Sequence, residues 1–265
     1  MPQGTYLTEL FIAVWPTIFA IDLSRYLIAA SALAVVLAVF AGPLAGRRIQ
    51  SRLATRKDRR REFAFSLMTV VVFSLNGFAV YAGSQYGIFK IYGGELPVLG
   101  RFLLELVTIV LMHDAYFYWV HRAMHSPWLF RRFHRVHHKS RTPTPWAAYA
   151  FAPAEAMLEA AILPLVGSFL PMHEITVLLF VTHMILRNVI GHAGIELFPA
   201  WWLKVPLLRA ITTTTHHDLH HSHGGHNFGL YFTWWDHWMG TEHPEYARRF
   251  TAVTQAPKTV EESGR

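Results

Sequence analysis

The chain has 265 residues, 52% of them hydrophobic and only 15% charged, where a soluble domain carries about a quarter charged residues; its composition is that of a membrane protein. Its formal net charge of +7 comes from Lys and Arg clustered beside the apolar segments, which matches lipid headgroups and the positive-inside rule rather than nucleic acid. No Cys occurs, so disulfides, iron–sulfur clusters and zinc–thiolate sites are excluded and any metal must use nitrogen and oxygen donors.

The apolar stretch 8–21 contains Trp15-Pro16 and is followed by Asp22 and Arg25, which predicts an interfacial or kinked helix ahead of the first span. That span is expected at 26–45 and the second at about 64–82, inside stretches free of Asp, Glu, Lys and Arg. Each supplies the roughly 20 apolar residues that cross a bilayer. Between them, "GRRIQSRLATRKDRRREF" is a strongly basic loop that belongs in the cytoplasm. No basic region precedes the first apolar run, so no cleaved signal peptide is expected.

"AGSQYGIFKIYGGELP" forms an outer loop, and a third helix at about 99–125 carries Arg101 near its outer end and His113-Asp114 deep inside. The basic segment 122–141 is then back in the cytoplasm. Apolar residues 146–172, interrupted by Pro153, Pro164 and Pro171, and a helix at 174–192 are expected to form a hairpin that goes out and returns. Everything after 198 is then cytoplasmic. The predicted fold is an all-α integral membrane bundle of about four to five spans with a histidine-rich cytoplasmic cap. Residues 1–100 supply membrane helices and the basic loop, 101–250 the chemistry, and 251–265 a polar tail.

This topology puts two histidine-dense segments on one membrane face. "HRAMH" sets His121 and His125 four apart; "HRVHH" sets His134, His137 and His138 at i, i+3 and i+4; "HDLHH" repeats that spacing with His217, His220 and His221. Each set would occupy one helical face. With 17 His in 265 residues, random placement gives roughly 0.07 copies of H-x2-H-H, and there are two. Neutral imidazole suits Zn, Cu, Fe and Ni, and one metal takes four to six ligands, so eight imidazoles argue for two metals. "RNVIGHAGIE" adds His192 at the cytoplasmic end of the last span, with Asn188 one turn earlier. Asn188 suits either a metal-bound water or an interhelical hydrogen bond.

Imidazoles bound to metal need acceptors that fix their tautomers. Asp114, Asp218, Glu155, Glu159, Glu196 and Asp236 are available. Asp218 lies inside a box and Asp114 two turns before His121, so these two are expected to orient the ligands. His113, His183, His216, His223 and His226 have no assigned role, with packing favoured for His183. The tryptophans read as an interfacial belt.

"HDAYFYWVHRAMH", "FHRVHH", "GHAGIE" and "HHDLHHSHGGHNFGLYFTWWDHWMGT" resemble, in order, the signatures of the fatty acid hydroxylase/sterol desaturase superfamily of membrane non-haem di-iron oxygenases. The resemblance implies two iron ions held by His121, His125, His134, His137, His138, His192, His217, His220 and His221, with Asn188 acting through a water. It implies O2-dependent hydroxylation or desaturation of a lipid, sterol or fatty acyl in type. Electrons would come from an external donor, such as a ferredoxin, a cytochrome b5-like protein or a reductase, because no dinucleotide-binding motif occurs and no fused haem-binding domain is expected. Two departures stand out: "FAPAEAM" has Ala152 where relatives have His, and the third box shows only His192. Of a different class is a membrane metal transporter or metal-binding protein; transport would spread ionisable residues through the spans, whereas these gather at one surface.

Overall fold

The computed structural model describes residues 3–255. Among the described residues, four helices are long and apolar enough to cross a membrane: α1 (Gln3–Val39), α2 (Arg56–Gln85), α3 (Leu99–Met124) and, after two short helices α4 (Pro153–Ala160) and α5 (Ile162–Gly167), α6 (Glu174–Gly191). Two smaller helices, α7 (Thr214–His223) and α8 (Tyr246–Thr254), lie beyond the last span. The polar tail expected from 251 falls outside the described residues from 256 onward.

The first helix corrects the sequence reading. Thr5–Val39 is one span candidate rather than an interfacial helix followed by a span at 26–45. Pro16 lies inside it without ending it. Side-chain packing holds the helix across that point: Trp15 Nε1 donates to Ser74 Oγ on α2, and Phe11 stacks on Trp15 and meets Phe78 edge-on. Arg25 pairs with Asp22 one turn away, so the two charges neutralise each other within the helix.

The second helix also starts earlier than its apolar run. A capping box begins it: Thr55 Oγ1 accepts from the Asp58 backbone N–H, and Asp58 Oδ2 accepts from the Thr55 N–H. Two orphan donors are thus satisfied at once, and the basic residues from Arg56 become the first turns of α2.

The expected hairpin has an uneven outgoing arm. Pro153 opens α4, and the chain breaks at Ala161 before α5. At the far end of the bundle a two-residue parallel pairing, Ile91 with Met172 and Tyr92 with His173, joins the loop after α2 to the start of α6. One core cluster packs Tyr26, Val70, Tyr149 and Ile185; another packs Ile109, Ile162, Met172 and Phe180. Outward-facing Ile12, Ile28, Val39 and Leu104 are exposed, as lipid-facing residues must be.

The basic segment closes over the opposite end. Arg47 donates to the Phe198 carbonyl, Arg61 to the Lys139 carbonyl, and Gln50 to both the Arg141 carbonyl and Asp218. All three histidine segments and the basic loop therefore share one end of the bundle.

Candidate metal centre

The histidine-rich helix α7 owes its position to the four threonines before and within it. Thr212 Oγ1 donates to the Leu230 carbonyl, and Thr213 caps the helix by accepting from the His216 N–H. Thr214 Oγ1 donates to the Ile190 carbonyl at the end of α6, and the Thr215 N–H donates to Glu196. Gly224, at φ 67°, ends the helix in the left-handed region, where glycine carries no steric penalty. Gly191 lets α7 approach: a Cβ there would lie 3.3 Å from the His217 ring.

Nine imidazoles converge from four segments, and they form two clusters. His121, His125, His134, His138 and His220 make the first; His137, His192, His217 and His221 make the second. Within each, one ligand atom per residue lies within 4.8 Å of all the others. The two clusters adjoin, since the His138 and His221 rings are 5.1 Å apart and those of His134 and His137 are 5.2 Å apart.

The spacing H-x2-H-H works differently from the one-face expectation. In each box the i and i+4 residues enter one cluster and the i+3 residue enters the other. His217 and His221 face the second cluster while His220 faces the first; His134 and His138 face the first while His137 faces the second. The His134 box is not a regular α-helix either. A π-helical turn over Phe130–His134 and a 3-10 turn over His137–Lys139 wind it, which aims adjacent residues at different centres.

Tautomers follow from the ring partners. The Nδ1 atoms of His121, His192 and His220 lie 2.9, 2.7 and 2.7 Å from the carbonyls of Phe228, Asn188 and His226. A carbonyl only accepts, so Nδ1 holds the proton and Nε2 presents a lone pair. His134 Nδ1 is 2.6 Å from Glu155 Oε1; with that carboxyl ionised, Nδ1 holds the proton and Nε2 is bare as well, 3.0 Å from His121 Nε2. In the second cluster His192 Nε2 is 3.1 Å from Nε2 of both His217 and His221, and 3.4 Å from that of His137. Buried lone pairs facing one another repel and lack donors. A cation among them removes both costs, so the residues fit a pair of metal ions.

Burial depresses the basicity of these rings, and their mutual repulsion depresses it further. His138 is pushed down to about 3, first by burial and then by His121. His134, His137, His217, His220 and His221 are also held well below the usual imidazole range by burial and by one another. The depressed folded value means the unfolded chain binds more protons, so the stabilisation is present above about pH 6.5 and lost as pH falls below it. Metal-free protein in detergent should show a melting temperature that drops steadily between pH 7 and 5. Metal-loaded protein should hold its melting temperature to lower pH, because each proton must then displace a metal.

The two aspartates favoured from sequence do other work. Asp114 accepts from the Tyr231 and Phe232 N–H groups and from Trp234 Nε1, and no imidazole is among these partners. Asp218 accepts from Gln50 Nε2 and is raised to about 7 by burial. Among the described residues, the acid that holds an imidazole in either cluster is Glu155; backbone carbonyls serve three others. Glu155 was available in the sequence, but its approach to His134 depends on how α4 folds back, which spacing does not reveal. Asp114→Ala should therefore leave three donors unpaired and cost at least about 3 kcal/mol of stability, with the metal content of the folded fraction unchanged. Parallel thermal melts and metal analysis would separate the two effects.

Asn188 is buried and, with His217, lines a cavity of about 10 Å³. That is near the space one water needs. The remaining histidines sit apart from both clusters. His113 Nδ1 is 2.8 Å from the Tyr231 hydroxyl and His183 packs on the same ring. His216 Nε2 lies 3.4 Å from Asp236, and His223 and His226 pack on His243.

The family model described as Fatty acid hydroxylase matches residues 106–241, just over half the chain, and spans every one of these imidazoles. A Delta(7)-sterol 5(6)-desaturase of Gibberella zeae is 27% identical over 221 residues, covering 82% of this chain and 66% of its own length. Human lathosterol oxidase is 28% identical over 182 residues, 67% of this chain and 58% of its own. Methylsterol monooxygenase 1-1 of Arabidopsis thaliana is 33% identical over 153 residues, 57% of this chain and 50% of its own. The chain thus spans between half and two thirds of the length of these curated relatives. No solved structure matches. Because the matched region is the one that folds into the two imidazole clusters, the chain belongs to the fatty acid hydroxylase family.

Proposed function

We propose that the protein is an O2-dependent di-iron oxidoreductase that hydroxylates a membrane lipid, sterol or fatty acyl in type, at the cytoplasmic surface. The observation that carries the proposal is the convergence of nine buried or half-buried imidazoles into two adjoining groups of five and four, with Nδ1 of His121, His192 and His220 held by carbonyls so that their Nε2 atoms are free to bind a metal. Iron is preferred among imidazole-binding metals because of the family. When bound, two irons would supply the capacity to reduce O2 and attack an unactivated C–H bond. His121, His125, His134, His138 and His220 would hold one, and His137, His192, His217 and His221 the other, with Asn188 positioned to hold a water.

The chain's own residues supply orientation and exclusion of water. Glu155 and the carbonyls of Phe228, Asn188 and His226 fix the ring tautomers, while Phe151 and Phe228 cover the clusters at ring distances of 5.1 Å from His137 and 5.7 Å from His121. Hydroxylation balances as R–H plus O2, two electrons and two protons giving R–OH and water. The electrons come from an external protein donor, a ferredoxin, cytochrome b5-like protein or reductase, docking on the basic face.

Desaturation is the second reading, favoured by the similarity to relatives named as sterol desaturases. It consumes the same O2, electrons and protons but yields a C=C bond and two waters. Incubating iron-loaded protein in lipid with a reductant under 18O2 decides between them. Labelled hydroxyl in the product supports hydroxylation; an unsaturated product without label supports desaturation. If neither forms while iron is bound, the enzymatic reading fails.

A further inference from the structure

A cavity of about 570 Å³ lies between α1, α2, α5 and α6, inside the spans and apart from the histidine rings. Its size is that of a site for a small organic ligand. Along α6 its wall runs from His173 to Met184, about 16 Å at 1.5 Å per residue. Phe73, Val181 and Met184 are representative of its apolar wall.

Three polar side chains line it that are at least nine-tenths buried and unsatisfied. Glu159 and the Tyr149 hydroxyl make no hydrogen bond among the described residues, and His173 Nε2 is buried without a partner. The Asp22–Arg25 pair also borders the cavity but is satisfied internally. An unpaired polar group within the hydrocarbon region costs several kcal/mol, so groups of this kind facing a cavity mark where a ligand places its own polar atoms.

The three are not equivalent. Tyr149 and Glu159 lie at the end nearer the metal centre: the Tyr149 ring is 6.3 Å from Phe151, which packs on His137 at 5.1 Å. Glu159 is one helical turn from Glu155, the partner of His134. Together they offer a donor and an acceptor. His173 is at the opposite end beside exposed Glu174, where water reaches.

We propose that this cavity seats an elongated, sterol-sized lipid with its single hydroxyl directed at Tyr149 and Glu159. The carbons next to that hydroxyl, and not the distant apolar end, then lie closest to the histidine clusters. The proposal rests on the lipid-oxidising reading above for its consequence, and its test is made without turnover. Iron-free protein in nanodiscs is titrated with radiolabelled cholesterol and, separately, with its deoxy analogue cholest-5-ene.

The hydroxylated lipid should bind roughly tenfold more tightly. Glu159→Leu combined with Tyr149→Phe should abolish that preference by weakening cholesterol alone. Both replacements exchange an unsatisfied polar group for an apolar one, so the fold should be kept, and unchanged melting would verify it. Equal binding of the two lipids by the parent protein would mean that water alone occupies the polar end, and would overturn the proposal. So would a preference that survives the double variant but disappears in His173→Leu, since the lipid would then lie the other way round. Iron binding by the same preparations is independent of either outcome.

Discussion

Replacing His137 with Ala should empty one of the two proposed iron sites and abolish turnover. His137 belongs to the cluster of four, so its loss leaves three imidazoles there, too few to hold the ion tightly. The same result is expected for His192, His217 and His221. The cluster of five responds differently. His125→Ala leaves four imidazoles in place, so that site should keep a weakened metal. Affinity at the cluster of four should fall by more than the roughly 10- to 100-fold seen when an outer partner is lost, whereas loss at His125 should stay within that range. His183→Ala is the control, because its ring packs on Tyr231 away from both clusters. Iron per chain, helicity and product formation measured on the same preparations would test this. Normal turnover and two irons in His137→Ala protein would remove that residue from the ligand set.

The second large effect concerns Glu155. Its Oε1 lies 2.6 Å from His134 Nδ1, and both side chains are almost fully buried. When ionised, this carboxylate keeps the proton on Nδ1 and the lone pair on Nε2, facing His121. Glu155→Gln retains size and an amide oxygen but loses the charge, so iron retention at the cluster of five should fall by about 10- to 100-fold. Glu155→Leu should lose more, because nothing then holds the His134 tautomer. Competition against a chelator of known affinity reads both. Equal retention by parent and Glu155→Gln protein would show that the carboxylate does not control the ring.

Much of this centre was legible because histidines at i, i+3 and i+4 are rare by chance and must be near one another in any helical winding. Which cluster each joins was not legible. The alternation depends on a π-helical turn at Phe130–His134 and on α7 facing two centres at once, and spacing alone suggests a single face. Asp114 and Asp218 looked suited to the imidazoles because sequence proximity is all that sequence offers. Contacts across the fold assign that work to Glu155 and to three carbonyls instead. The four long helices follow from apolar runs, yet the helix across Pro16 depends on Trp15, Phe11 and α2, a tertiary effect that outweighs proline's local one. The cavity polarity at Tyr149, Glu159 and His173 joins residues from separate elements, so no local pattern announces it.

The most direct measurement is anaerobic titration of metal-free protein with ferrous iron, counting tightly bound ions per chain. The two clusters predict two, falling to one in His137→Ala protein and to none when His137 and two first-cluster residues, His134 and His220, are replaced together. A single tightly bound ion in the parent protein, or two that persist in the triple variant, would contradict the di-iron centre.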